Sequence, residues 1–139
     1  MKKIYEIYPI GEVIKSGDYG EILIFDKYRL GLNDLEDFSH LKLIWWFDRN
    51  DISGKRGKLT AHPPIAGGLE VGVFASRSPH RPNLLGINVC RIEKIDLEKG
   101  LVFLDYIEAF EKTPIIDIKP YIPRLDRAEA AQIPDWLKR

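Results

Sequence analysis

The sequence has 139 residues, the size of one domain with one core, and its 45% hydrophobic and 30% charged content is that of an ordinary globular protein. Its 21 basic and 21 acidic side chains leave no net charge, which argues against a dedicated binder of nucleic-acid duplexes and leaves room only for a local basic patch. No apolar run approaches the roughly 20 residues of a membrane span, Glu6 and Pro9 break up any export-signal core, and Cys90 is the only cysteine, so an internal disulfide is excluded and the cytoplasm fits.

In chain order, Lys3-Ile4-Tyr5-Glu6-Ile7-Tyr8 has the β-branched and aromatic content of a strand ending at Pro9. Asp18-Tyr19-Gly20 reads as a turn into a second strand over 21–25. Asn33 with Glu36 three residues on has the form of a capping box, predicting a short helix. Leu41 to Phe47 is a third strand, whose alternation sends Trp45 and Phe47 to one face and Trp46 to the other. Residues 48–68 lose all periodicity and read as a long loop. Strands are expected again over 70–75, 86–92 and 101–106, the last two joined by a hairpin turn at Glu98-Lys99-Gly100. Arg127 to Gln132 has the form of a helical turn before Pro134. Six or seven short strands with one or two short helices, no repeats and no linker predict an all-β barrel or sandwich filling one domain over residues 1–139.

Candidate chemistry concentrates in Ser76-Arg77-Ser78-Pro79-His80-Arg81-Pro82-Asn83-Leu84-Leu85-Gly86. The prolines stiffen this loop, so Arg77 and Arg81 would present fixed donor forks beside the amide of Asn83. Such a set suits a carboxylate, ribose hydroxyls or phosphate; composition alone reads equally well as a solvated surface loop. Glu111 to Pro123, with three prolines, reads by itself as a rigid edge strand or loop. An aromatic ring of the Trp45-Trp46-Phe47 run could face a cation such as a sulfonium, with Asp48 accepting from an amino group, although aromatic core is the simpler reading. There is no dinucleotide or phosphate-loop glycine motif. His40, His62 and His80 lack metal-ligand spacing, so no metal is expected. Cys90 lacks the context of a nucleophile and reads as a buried free thiol.

Residues Phe74 to Gly86 resemble the signature of the TsaA-like (TrmO-like) family at every required position. Leu35-Glu36-Asp37-Phe38-Ser39-His40-Leu41, His62-Pro63-Pro64 with Gly67-Gly68, and Thr113 to Pro123 resemble its other segments in the same order, so the resemblance runs from about Gly11 to Pro123. It implies an all-β, single-sheeted β-barrel methyltransferase, dimeric and using S-adenosylmethionine, with N6 of a threonylcarbamoyl-adenosine beside the tRNA anticodon as acceptor. Carried over by motif, Phe47, Asp48, Arg77, Arg81, Asn83, Ile87 and the turn Glu111-Lys112-Thr113-Pro114 would form the cofactor site. Alignment of an activated methyl would supply much of the rate, and Asp48, Asp105 or Glu108 would take the proton from nitrogen.

The chain departs from the family pattern in three ways. Glu111-Lys112 stands where many members have Asp-Gly, Ile14 to Gly20 replaces a longer Pro-rich segment, and no counterpart of the additional C-terminal domain of some bacterial members is expected. The expectation is therefore a cytoplasmic, homodimeric enzyme acting on tRNA, with no membrane or DNA partner. A small-molecule methyltransferase and a non-catalytic cofactor-binding module are the alternatives. Lys55, Arg56 and Lys58 read equally as a phosphate-contacting patch or as solvated loop.

Overall fold

Six antiparallel strands close on themselves in the computed structural model, which describes residues 2–138. In chain order the strands are β1 (Gly11–Lys15), β2 (Gly17–Asp18), β3 (Glu21–Ile24), β4 (His40–Trp46), β5 (Thr60–Ala61), β6 (Val71–Gly72), β7 (Leu85–Asp96), β8 (Leu101–Leu104), β9 (Tyr106–Ile107) and β10 (Pro114–Pro120). Hydrogen bonds join β1, β10, β4, β7, β8 and β3 in that order and return to β1, while β2–β9 and β5–β6 form separate two-stranded pairs. The residues divide into two compact units. One holds the closed barrel and comprises the chain up to Phe47 with Leu85–Tyr121; the other comprises Asp48–Leu84 with the chain from Ile122.

Period-two alternation builds the barrel interior. Along β4, Leu41, Leu43 and Trp45 are buried while His40, Lys42, Ile44 and Trp46 are half-buried on the other face. Ile22 and Ile24 of β3, Val102 and Leu104 of β8, Val13 and Ile115 join them with no more than 1% exposure, each worth about 1.5–3 kcal/mol of transfer free energy. Leu32 and Leu35, from 3-10 turns between β3 and β4, belong to the same cluster. Register shifts between Val13 and Lys15, Ile115 and Asp117, and Ile92 and Lys94 add the bends that closure requires. The turn before β8 is the expected one: Gly100 has φ +71°, and the Lys99 N–H donates to Asp96 Oδ1 at 3.0 Å.

Several local expectations are corrected. Lys3 to Tyr8 forms no strand: both sides of β1 are already taken, by β3 and β10, so the barrel offers this segment no edge. Asn33 does not cap a helix through its side chain. It closes a preceding 3-10 run, Asp26–Leu32, and left-handed Asp34 (φ 70°) starts the three-residue turn Leu35–Asp37. Residues 48–68 are not wholly loop, since they contain β5 and two 3-10 turns. Residues 70–75 yield only β6, after which the chain coils into Val73–Ala75 and Ser76 Oγ donates to the Val73 carbonyl. Arg127 to Gln132 is not helical; the helical turn α1 lies at Pro123–Asp126, where Pro123 pre-sets the first position and Asp126 accepts from the Ile122 N–H. The segment read as a rigid edge strand is β10, bonded on both sides. Its prolines sit at its first and last positions, where a missing N–H breaks no ladder.

Candidate functional site

The second unit carries the arginine-proline loop, and hydrogen bonds within that unit fix its shape. Ser76 Oγ accepts from the Ser78 N–H at 3.3 Å, and Ser78 Oγ accepts from the His80 N–H at 3.2 Å. The Arg81 guanidinium donates to the carbonyls of Ser76 (3.1 Å) and Ser78 (3.2 Å), so it closes the loop on itself. Arg56 braces the far end, donating to the Pro82 carbonyl at 2.8 Å and Asn83 Oδ1 at 3.4 Å, and Asn50 Nδ2 lies 2.9 Å from His80 Nε2. Val73 and Leu84, buried at either end, anchor the loop in its unit. Among the described residues the guanidinium of Arg77 has no hydrogen-bond or ion-pair partner. The two arginines, indistinguishable in sequence, thus have different duties: Arg81 holds the loop and Arg77 is presented by it.

A cavity of about 860 Å³ opens beside this loop within the same unit. Lys58, His62, Phe74, Arg77, His80 and Trp136 are among its walls, and no carboxylate is. The unit as a whole holds ten Lys and Arg against six Asp and Glu, whereas the barrel unit holds eleven against fifteen. The zero net charge of the chain therefore conceals a basic unit and an acidic one. Sequence reading did not single out Trp136 or the ring of Phe74; an exposed aromatic beside a basic loop is the signal that was there to be read.

The remaining candidates lie on the barrel unit, apart from Asp48, which is exposed at the start of the 3-10 turn Asp48–Asn50 in the second unit. Phe47 packs edge-on against Trp45, with ring centroids 5.7 Å apart, as the alternation predicts. Ile87 is 38% exposed on β7, opposite Ile44, and the preceding Gly86 lies under the indole of Trp45, where no Cβ fits. The turn at Glu111-Lys112-Thr113-Pro114 is pinned to β1: the Lys112 N–H donates to the Val13 carbonyl at 2.8 Å, and the Val13 N–H to the Thr113 carbonyl at 3.0 Å. Lys112 has φ +67°, so it occupies with a side chain the left-handed conformation that glycine adopts freely. Thr113 is buried, while Glu111 and Lys112 are exposed. Asp105 Oδ1 accepts from the N–H groups of Arg91 (2.7 Å) and Tyr106 (2.8 Å), and Glu108 is exposed. Burial pushes the Cys90 thiol up to about 12, with the Asp105 and Glu108 carboxylates adding to the effect and the Asn88 amide opposing it, so this thiol is no nucleophile.

Three comparisons bear on this arrangement. The family model described as the tRNA-methyltransferase O N-terminal domain matches residues 5–127. A probable S-adenosyl-L-methionine-binding protein of Methanocaldococcus jannaschii is 41% identical over 125 residues, 88% of this chain and 97% of its own. The human tRNA (adenine(37)-N6)-methyltransferase is 37% identical over 111 residues, 80% of this chain. The crystal structure of TrmO from Pseudomonas aeruginosa matches 97% of this chain with a TM-score of 0.74 at 25% identity. The chain spans 24% of the human protein and 62% of the TrmO chain.

Proposed function

The chain belongs to the tRNA-methyltransferase O N-terminal domain family, and from that premise we propose that it is an S-adenosylmethionine-dependent methyltransferase acting on N6 of an adenosine in tRNA. The acceptor is the (threonylcarbamoyl-)adenosine beside the anticodon, and the enzyme works in the cytoplasm. The observation that carries this reading is the self-braced loop that leaves Arg77 unpaired in a basic unit. The residues present fit the cofactor's chemistry. Within the second unit, Arg77 offers a planar fork for a carboxylate and Asn83 an amide for hydroxyls or adenine. When bound, the cofactor supplies an electrophilic methyl on a sulfonium sulfur.

What the protein adds is position and a route for one proton. The braced loop fixes the backbone at Arg77 before any ligand arrives, so only the rotamers of its side chain remain to be ordered on binding. As N6 gains a carbon it must release a proton, and a carboxylate near it accepts that proton directly or through water. One oxygen of Asp105 is committed to two backbone amides, which favours the exposed Asp48 or Glu108 for this task. Leu85, Ile87 and Val89 line the outward face of β7, each more than a third exposed, which supports a homodimer. Light scattering tests that point directly.

The deciding experiment incubates tRNA with the enzyme and methyl-labelled S-adenosylmethionine and resolves the nucleosides by mass spectrometry. Label in an N6-methylated adenosine derivative is the expected result. Cofactor binding by calorimetry with no label in tRNA would instead identify a binding module or a small-molecule methyltransferase, and absence of cofactor binding would sink the reading altogether.

A further inference from the structure

We propose that the cavity beside the loop is a nucleotide pocket that takes one unstacked base of single-stranded RNA, with Phe74 as its stacking platform and Lys58 as a contact to backbone phosphate. The inference rests on the tRNA reading above and names the surface by which this chain would hold its acceptor strand. Four observations carry it, all within the second unit.

First, at about 860 Å³ the cavity lies in the range of pockets that enclose a nucleotide-sized ligand. Second, its lining holds Lys58 and Arg77 with two histidines and no acidic residue, in a chain whose acidic and basic side chains are equal in number. That selection of sign suits an anionic backbone. His62 is the one of these with an acidic neighbour, Glu70, at 3.4 Å. Third, Phe74 lines the cavity and yet is 81% exposed. A large ring held in water next to basic side chains is the combination with which proteins grip single-stranded nucleic acid, since every base offers a face to stack on. Fourth, Trp136 adds a second aromatic wall, positioned by the 3-10 turn Asp135–Leu137 packed against Pro64–Ala66. Arg77 lines the same cavity, so the residue offered above to the cofactor and the pocket offered to the acceptor strand share one side chain. A methyl donor and its acceptor require such proximity.

The test uses the full chain, an RNA hairpin with the anticodon-arm sequence followed by fluorescence anisotropy, and S-adenosylmethionine followed by calorimetry. Phe74→Leu keeps the apolar bulk and removes the π-face, whereas Phe74→Trp keeps the face. Phe74→Leu is expected to raise the dissociation constant for the hairpin about tenfold. Phe74→Trp should restore it, and the cofactor dissociation constant and melting temperature should stay at wild-type values in both. Lys58→Gln, remote from any folding role, should weaken hairpin binding and flatten its salt dependence. Hairpin binding unchanged in Phe74→Leu, or no hairpin binding by the wild type, would overturn the pocket. If the wild type methylates tRNA and Phe74→Leu does so equally well, the pocket falls while the enzymatic reading stands. If the wild type binds the hairpin through Phe74 but transfers no methyl, the pocket stands and the enzymatic reading falls.

Discussion

Replacing Gly86 by Ala is the sharpest probe of how the barrel wall is built. A Cβ at this position would lie 2.5 Å from Cζ2 and 2.6 Å from Nε1 of Trp45, where ordinary contact begins near 3.4 Å. The indole would have to retreat by about 1 Å. It has nowhere to go: Trp45 is 2% exposed and its ring meets the edge of Phe47. Overpacking of this kind costs about 1–3 kcal/mol. The lower backbone entropy of Ala in the unfolded chain returns about 0.5–1 kcal/mol, and the severity of the overlap puts the net loss near 2 kcal/mol. For a chain of this length that is a fall in Tm of about 7 °C. Thermal and urea unfolding followed by circular dichroism will measure it, and the double variant Gly86→Ala/Trp45→Leu should cost less than the two single variants added together. A Tm within about 1 °C of wild type, or strict additivity in the double variant, would refute the claim that indole and backbone are in mutual contact.

Other perturbations follow from the same geometry. Lys112→Gly frees a left-handed residue and should raise stability by up to about 1 kcal/mol after the entropy of glycine is counted; a lower urea midpoint would show that Lys112 carries no strain. Arg77→Ala should weaken S-adenosylmethionine binding at unchanged Tm. Arg81→Ala, which strips two carbonyls of their donor, should lose about 1–3 kcal/mol of stability; calorimetry and melting curves on both variants separate the roles. The thiol of Cys90 ionises only near pH 12 when folded, against 9.0 ordinarily, so the unfolded chain sheds this proton first and stability falls as pH rises between those values. The slope from this one group is about 1.4 kcal/mol per pH unit, and Cys90→Ala should remove it; equal slopes in both proteins over that window would count against the buried thiol.

The strands were legible because they obey a local rule, whereas the choice of barrel over sandwich came from the family resemblance. Leu41, Leu43 and Trp45 alternate with half-buried neighbours, and Glu98-Lys99-Gly100 spells out its own turn. Where the sequence misled, the missing information was non-local. Nothing in Lys3 to Tyr8 says that both edges of β1 are already occupied, and nothing in Thr113 to Pro123 says that Pro114 and Pro120 fall at the two ends of an inner strand. The same divide runs through the site. The signature loop could be located from its residues, but only folding reveals that Arg81 turns back on the loop carbonyls while Arg77 does not. The basic character of the second unit was cancelled in the whole-chain sum by the acidic excess of the barrel.

The pairing of β4 with β7 has a consequence for how such a protein can change. Trp46 sits opposite Leu85, so the whole excursion from Asp48 to Leu84 leaves and re-enters the barrel at one ladder rung. Topologically it is the tip of a hairpin, grown large. Loop-closure entropy rises only slowly with the length of such a tip. Even doubling the length of the excursion would add only about 0.6 kcal/mol to the cost of closing the β4–β7 ladder, so the strand pair tolerates a tip of very different size and content.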